Sequence, residues 1–223
     1  MGRGTRTPGI RAAAAVAVCG LLAVAPIACG TGPARYTRAD ARTEQARLRG
    51  LLPLQEDMPE GFSARPRNGW RPPFRAENPE CRTVLNMAGG GSPRRTTEPR
   101  VTVTYQGDDV GELAGVALVS YTGAGAALRF AEISDALDGC PVAAGPLAGR
   151  GTSLRVSPLE VDVPGDVRAG RLRGRLNGYP YELHVVFARV GNTVVSLVHS
   201  GMAGIDEEST RRLARLVVGR LSA

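Results

Sequence analysis

The sequence predicts an α+β fold in which one antiparallel β-sheet is covered by helices on both faces. Three observations carry this. The last 56 residues read as three strands joined by two-residue turns and followed by a helix. Aligned by those turns, the strands are apolar on both sides, so both sides need a cover. Two amphipathic helices, about 124–138 and about 206–221, are available to supply it.

Composition limits the alternatives. The chain has 223 residues, 43% of them apolar, enough for a sizeable core. All 28 basic side chains are Arg, against 21 acids, for a net charge of +7 and a pI near 9.9. That charge is not spread evenly. Residues 1–50 hold eight Arg, Asp40 and Glu44, while residues 51–223 are nearly neutral. With no helix-turn-helix, zinc-finger or RNA-binding aromatic motif in addition, no nucleic-acid partner is expected.

The N-terminal segment reads as an address. Arg3, Arg6 and Arg11 precede an uncharged, mostly apolar run of 17 residues, Ala12 to Ala28, the pattern of a secretory signal peptide. Spanning a bilayer takes about 20. The run ends Pro26-Ile27-Ala28-Cys29-Gly30, which resembles the bacterial lipoprotein lipobox, with Pro26 where Leu is usual. The resemblance implies cleavage before Cys29 and lipidation of its thiol, with residues 1–28 removed. The competing outcomes are cleavage at Ala23-Val24-Ala25 and an uncleaved anchor. Residues 29–50 then form a polar tether. Stretch 38–49 can be helical, but Leu48 is its single large apolar residue, and a helix polar all round is a spacer. Its Arg could also lie on anionic headgroups.

A single globular domain is expected over 51–223. Residues 51–62 are extended and turn-rich, and the proline-rich 63–80 forms an irregular loop pinned by Trp70 and Phe74. A short helix over 81–87 and a flexible loop over 88–99 follow. Its glycines lack the Gly-Lys-Ser/Thr of a phosphate loop. Val101–Gln106 alternates as a strand, 107–111 turns, and Leu113–Tyr121 returns. Asp108, Asp109 and Glu112 lack the spacing of a calcium loop. In helix 124–138, Ala126, Phe130, Ile133 and Leu137 share a face, and Gly139 ends it. Leu159–Val163 alternates as another strand. Strands 168–176, 179–190 and 193–200 are joined by Asn177-Gly178 and Gly191-Asn192. Asp206, Glu207 and Glu208 open the last helix, as its dipole favours.

Two Cys remain after processing, Cys81 and Cys140, in an oxidising compartment. A disulfide between them is the economical outcome, ahead of metal ligation or a catalytic thiol. Neither has a second Cys or His at ligand spacing. The two His of the chain, His184 and His199, fall directly opposite each other in the inferred register. Arg171 is opposite His184 on the next strand. That row is a polar end of the sheet or an anion or metal site. Two His beside an Arg are a weak metal set. Ser200 beside His199 permits a Ser-His-Asp reading on paper, but no nucleophile elbow is present. Catalytic residues, cofactor and metal are therefore expected to be none.

With these elements in order, the chain resembles actinobacterial sensor-domain lipoproteins, the group of the extracellular domain of PknH-like kinases. The marks are Leu51-Leu52-Pro53 with Asp57-Met58-Pro59-Glu60-Gly61-Phe62, Cys81 before a short helix, Ala136-Leu137-Asp138-Gly139-Cys140, and Val190-Gly191-Asn192-Thr193-Val194-Val195. The resemblance covers roughly 51–221 and implies a PsbP-like sandwich. It also implies a non-catalytic, lipid-anchored module on the outer face of the cell membrane that senses or binds an envelope protein or a small ligand. The alternatives are an envelope hydrolase and a carrier of an apolar ligand between sheet and helix.

Overall fold

The computed structural model describes residues 35–63, 69–91, 98–146, 151–202 and 204–222. Seven strands form one antiparallel sheet: β1 (Arg100–Gln106), β2 (Leu113–Ser120), β3 (Val142–Gly145), β4 (Thr152–Pro158), β5 (Asp166–Leu176), β6 (Tyr179–Val190) and β7 (Thr193–Gly201). Their order is β1-β2-β7-β6-β5-β4-β3. The last three strands thus occupy the centre, between the two earlier hairpins. Four helices cover the sheet: α1 (Arg38–Gly50), α2 (Pro79–Ala88), α3 (Gly125–Asp138) and α4 (Glu207–Ser222).

The two-residue turns set the register. Asn177 and Gly178 both adopt positive φ, 52° and 83°, as a type I′ turn requires. Arg171 pairs with His184, and His184 with His199. Side chains alternate across a strand, so consecutive residues of β6 and β7 feed two different cores. Leu183, Val185, Phe187 and Val198 join Leu172 under α2 and α3. Val186, Ala188, Val195 and Leu197 join Leu213, Val217 and Leu48 under α4 and α1. Both faces are covered, which is the sandwich expected from the sequence.

Local chemistry explains the helix starts. Asn78 caps α2, its side chain accepting from the Cys81 amide at 2.8 Å, with Pro79 in the first turn. Asp206 accepts from the Ser209 amide at 2.8 Å ahead of α4. Cys81 at the start of α2 is bonded to Cys140 just beyond α3, which ties the two helices on that face. Trp70 and Phe74 are buried in the same core and hold the proline-rich segment down.

Two expectations differ from the structure. Leu159–Val163 is not a strand. Pro158 and Pro164 bracket it, neither can donate to a ladder, and Leu159 and Val163 are buried as single pegs. The strands on that side are instead β3, four residues long and too short to read beforehand, and β4, whose Leu154 and Val156 alternate with Ser153, Arg155 and Ser157, a period-two signal that the expected strand at 159–163 displaced. Residues 38–50, expected within a polar tether, form α1. Leu48 is fully buried, the Tyr36 hydroxyl lies 2.8 Å from Ser120 Oγ, and Gln45 donates to the Arg100 carbonyl at 2.9 Å. One buried leucine and two polar clasps seat the helix on β1 and β2 where periodicity gave no stripe. Among the described residues no helix is long and apolar enough to cross a membrane. The apolar run and Cys29 lie outside the described residues.

Candidate functional site

The His pair lies on the α4 side of the sheet, at its centre. β6 and β7 place His184 and His199 face to face, with ring centroids 6.4 Å apart and planes near perpendicular. Both are fully buried. α4 crosses over them and inserts Thr210, which belongs to the same helical stripe as Leu213 and Val217. The Nδ1 atoms of both rings lie 2.8 Å from the Thr210 hydroxyl. On the outer sides, His184 Nε2 lies 3.1 Å from Glu182 Oε1, and His199 Nε2 lies 3.0 Å from Glu112 Oε1. The result is a chain of five side chains, Glu182–His184–Thr210–His199–Glu112, running through the interior. Phe62 closes it from the side of the β1–β2 turn, its ring 5.8 Å from that of His199.

Hydrogens can be counted along this chain. Two ionised carboxylates only accept, each neutral imidazole brings one N–H, and the hydroxyl brings one O–H. Three hydrogens meet four contacts, so filling all four takes one further proton. Thr210 also sits 3.3 Å from the Asp206 carbonyl, a second claim on its hydrogen. Burial opposes charge on His184 and holds it below the usual imidazole value, with Glu182 pulling the other way. His184 is therefore neutral at neutral pH.

Arg171 does not face the rings as an open cation. Its Nε is 2.5 Å from Glu182 Oε1 and its Nη1 is 2.9 Å from Glu207 Oε1. It bridges β6 to α4 and balances the buried Glu182 carboxylate. The sequence brought Arg171, His184 and His199 together and the structure keeps them adjacent, but their polar atoms are directed at Glu182, Glu207, Thr210 and Glu112. Those four residues were missed. Two left a signal. Glu182 is two residues from His184 and so shares its face, and Thr210 stands at stripe spacing in α4. Glu112 leaves a turn and carried none.

The structure separates Ser200 from the two histidines. Ser200 is next to His199 in β7, so alternation sends its hydroxyl to the other face. Among the described residues no group of three or more His, Cys, Asp or Glu is placed to hold a metal ion.

The other face carries an open groove. It follows the 69–76 segment past α2, with adjoining hollows of about 490, 520 and 870 Å³. Trp70, Arg71, Pro72 and Asn86 are shared among the linings. Arg82 is occupied by the Ala76 and Glu77 carbonyls. Arg71 and Arg75 are exposed and, among the described residues, make no hydrogen bond or ion pair.

No family model matches the chain, and no curated protein sequence matches it. Among solved structures, the extracellular domain of PknH from Mycobacterium tuberculosis superposes with a TM-score of 0.59 at 13% identity, over 86% of this chain and all of that one. The Rv0999 ortholog from Mycobacterium smegmatis gives 0.43 at 16% identity, over 81% of this chain and 96% of its own. At such identities the first comparison speaks to architecture, and the second is too distant to add to it. The seven-stranded antiparallel sheet with its four helices is the fold of the PknH extracellular domain.

Proposed function

We propose that the chain is a non-catalytic module held by lipid on the outer face of the cell membrane, where it senses or binds an envelope protein or small ligand. The observation that carries this is the shared fold with an extracellular domain over 86% of the chain. Three features support it. Arg3 to Gly30 has the form of a lipoprotein signal ending at Cys29. The Cys81–Cys140 disulfide suits an oxidising compartment. The groups most suited to chemistry, His184 and His199, are bonded to other side chains, while the groove along Trp70 to Arg75 is open and offers two unpaired guanidiniums to an acidic partner.

Two measurements test it. Cys29→Ser should move the protein from the membrane fraction to the soluble fraction or block its processing. Unchanged partition and size would remove the lipid anchor. A fluorophosphonate probe should leave the folded protein unlabelled. Labelling at a single serine would make it a hydrolase instead.

A further inference from the structure

We infer that the exposed face of α1 is a docking surface for an anionic lipid bilayer, which sets how the domain stands on the membrane. Membrane attachment, proposed above, supplies the context. The surface itself is read from the helix. At 3.6 residues per turn, Arg38, Arg42, Ala46 and Arg49 fall within an arc of about 80°. All four are exposed, and Arg35 just ahead of the helix is exposed as well. Leu48, fully buried against the sheet, lies roughly 80–160° around the helix from these four, so the arginine face runs along the exposed flank of the seated helix.

The acids of this segment are used elsewhere. Asp40 is held by the Thr37 cap, whose hydroxyl donates to it at 2.6 Å. Glu44 takes Arg47 at 2.6 Å and is held below the usual carboxylate range by that bond. Among the described residues, the side chains of Arg35, Arg38, Arg42 and Arg49 make no hydrogen bond or ion pair. Three guanidiniums on one side of a short helix, with Arg35 just ahead of it and none of them paired among the described residues, fit a surface of negative headgroups. Position agrees with charge. Arg38 is nine residues beyond Cys29, so an extended chain keeps α1 within about 30 Å of the end of the apolar run. One hydrophobic attachment plus a basic patch is the two-signal arrangement that makes membrane association stable. A polar helix with one buried leucine thus gains a purpose beyond spacing.

The chain's single tryptophan, Trp70, is 7% exposed in the core, which leaves the surface free for a probe. Mature protein carrying Ala46→Trp, purified with its own lipidated Cys29, would be reconstituted into vesicles of brominated phosphatidylcholine, with or without 30% phosphatidylglycerol. Docking predicts quenching of the added indole in the anionic vesicles, weak quenching in the neutral ones, and loss of the difference at high salt, where the Debye length shrinks. Each Arg near an anionic surface contributes about fivefold, so Arg38→Gln, Arg42→Gln and Arg49→Gln together should lower the docking equilibrium constant on the order of 10²-fold. The corresponding triple Lys variant should retain docking. Equal quenching in both vesicle types, or quenching that survives the Gln variant, would overturn the docking surface. Flotation of the vesicles reads attachment separately: protein that floats without lipid-dependent quenching refutes the α1 surface alone, and protein that fails to float refutes the anchor.

Discussion

Thr210→Val tests the buried chain at its centre. Valine keeps the volume and branching of threonine and removes the one hydroxyl that both imidazoles approach at 2.8 Å. Two hydrogen bonds go, and two ring nitrogens are left without a partner where water does not reach. Each net bond is worth about 1 kcal/mol and each orphaned buried group costs about 1–3 kcal/mol. Against this, the extra buried methyl returns less than about 1 kcal/mol. The two orphaned groups set the scale, and with the methyl set against them the expected loss is about 1–5 kcal/mol. Thr210→Ser keeps the hydroxyl and gives up one methyl, for a loss of about 1 kcal/mol. Urea unfolding of the disulfide-intact protein at pH 7.5 measures both, with the slope checked for constancy. A valine variant within 0.5 kcal/mol of the parent, or a serine variant as unstable as the valine one, would show that the hydroxyl does not hold the rings. Acid supplies a second readout. The unfolded His184 takes up a proton near its usual value, 6.5, while the buried one resists. Between those two values the unfolded state binds more protons, so stability falls as pH drops through about 6.5 toward the lower folded value. A flat profile between pH 7.5 and 5.5 would contradict the burial argument, and His184→Gln should flatten the slope.

Replacing Cys81 and Cys140 together by Ala should lower stability by up to about 4 kcal/mol, since the bond closes a loop of about 60 residues. Non-reducing peptide mass spectrometry should find the two linked in the exported parent protein, and two free thiols would refute the pairing. Gly174→Ala in β5 should cost about 3 kcal/mol, because a β-carbon there would stand 2.1 Å from the Ser153 carbonyl oxygen of the neighbouring strand. A thermal midpoint within a degree of the parent would show that β4 gives way easily.

Much of the centre of the molecule could be read from the chain. Asn177-Gly178 and Gly191-Asn192 are short turns, and a two-residue turn leaves no freedom in pairing. The opposition of His184 and His199 therefore followed from counting. So did the division of Val185 and Val186 between two cores. The β3–β4 side was less legible: β3 has only four residues, and β4, although Leu154 and Val156 alternate with Ser153, Arg155 and Ser157, sits among glycine and proline that mask so short a run. α1 was misjudged because one leucine and two side-chain hydrogen bonds seat it, and neither bond is visible in periodicity. The candidate site was half visible for the same reason. Residues that share a strand can be located from one another, whereas Glu112 arrives from a turn and Thr210 from a helix packed across the sheet. Their contact with the histidines is a product of tertiary packing.

The strand order also governs when the molecule can form. β7, the last strand to be made, lies between β2 and β6, with Leu113 opposite Ser200. The early hairpin β1–β2 therefore waits with one long edge unpaired until nearly the whole chain is available. Pairings this distant in sequence slow folding, because the entropy of closing the loop precedes any gain from contact. A chain stopped before Thr193 would expose both β2 and β6 as open edges, the surfaces most prone to join another molecule. The order of synthesis and the order of assembly thus run opposite ways, which places a demand on whatever escorts the unfolded chain until its final thirty residues emerge.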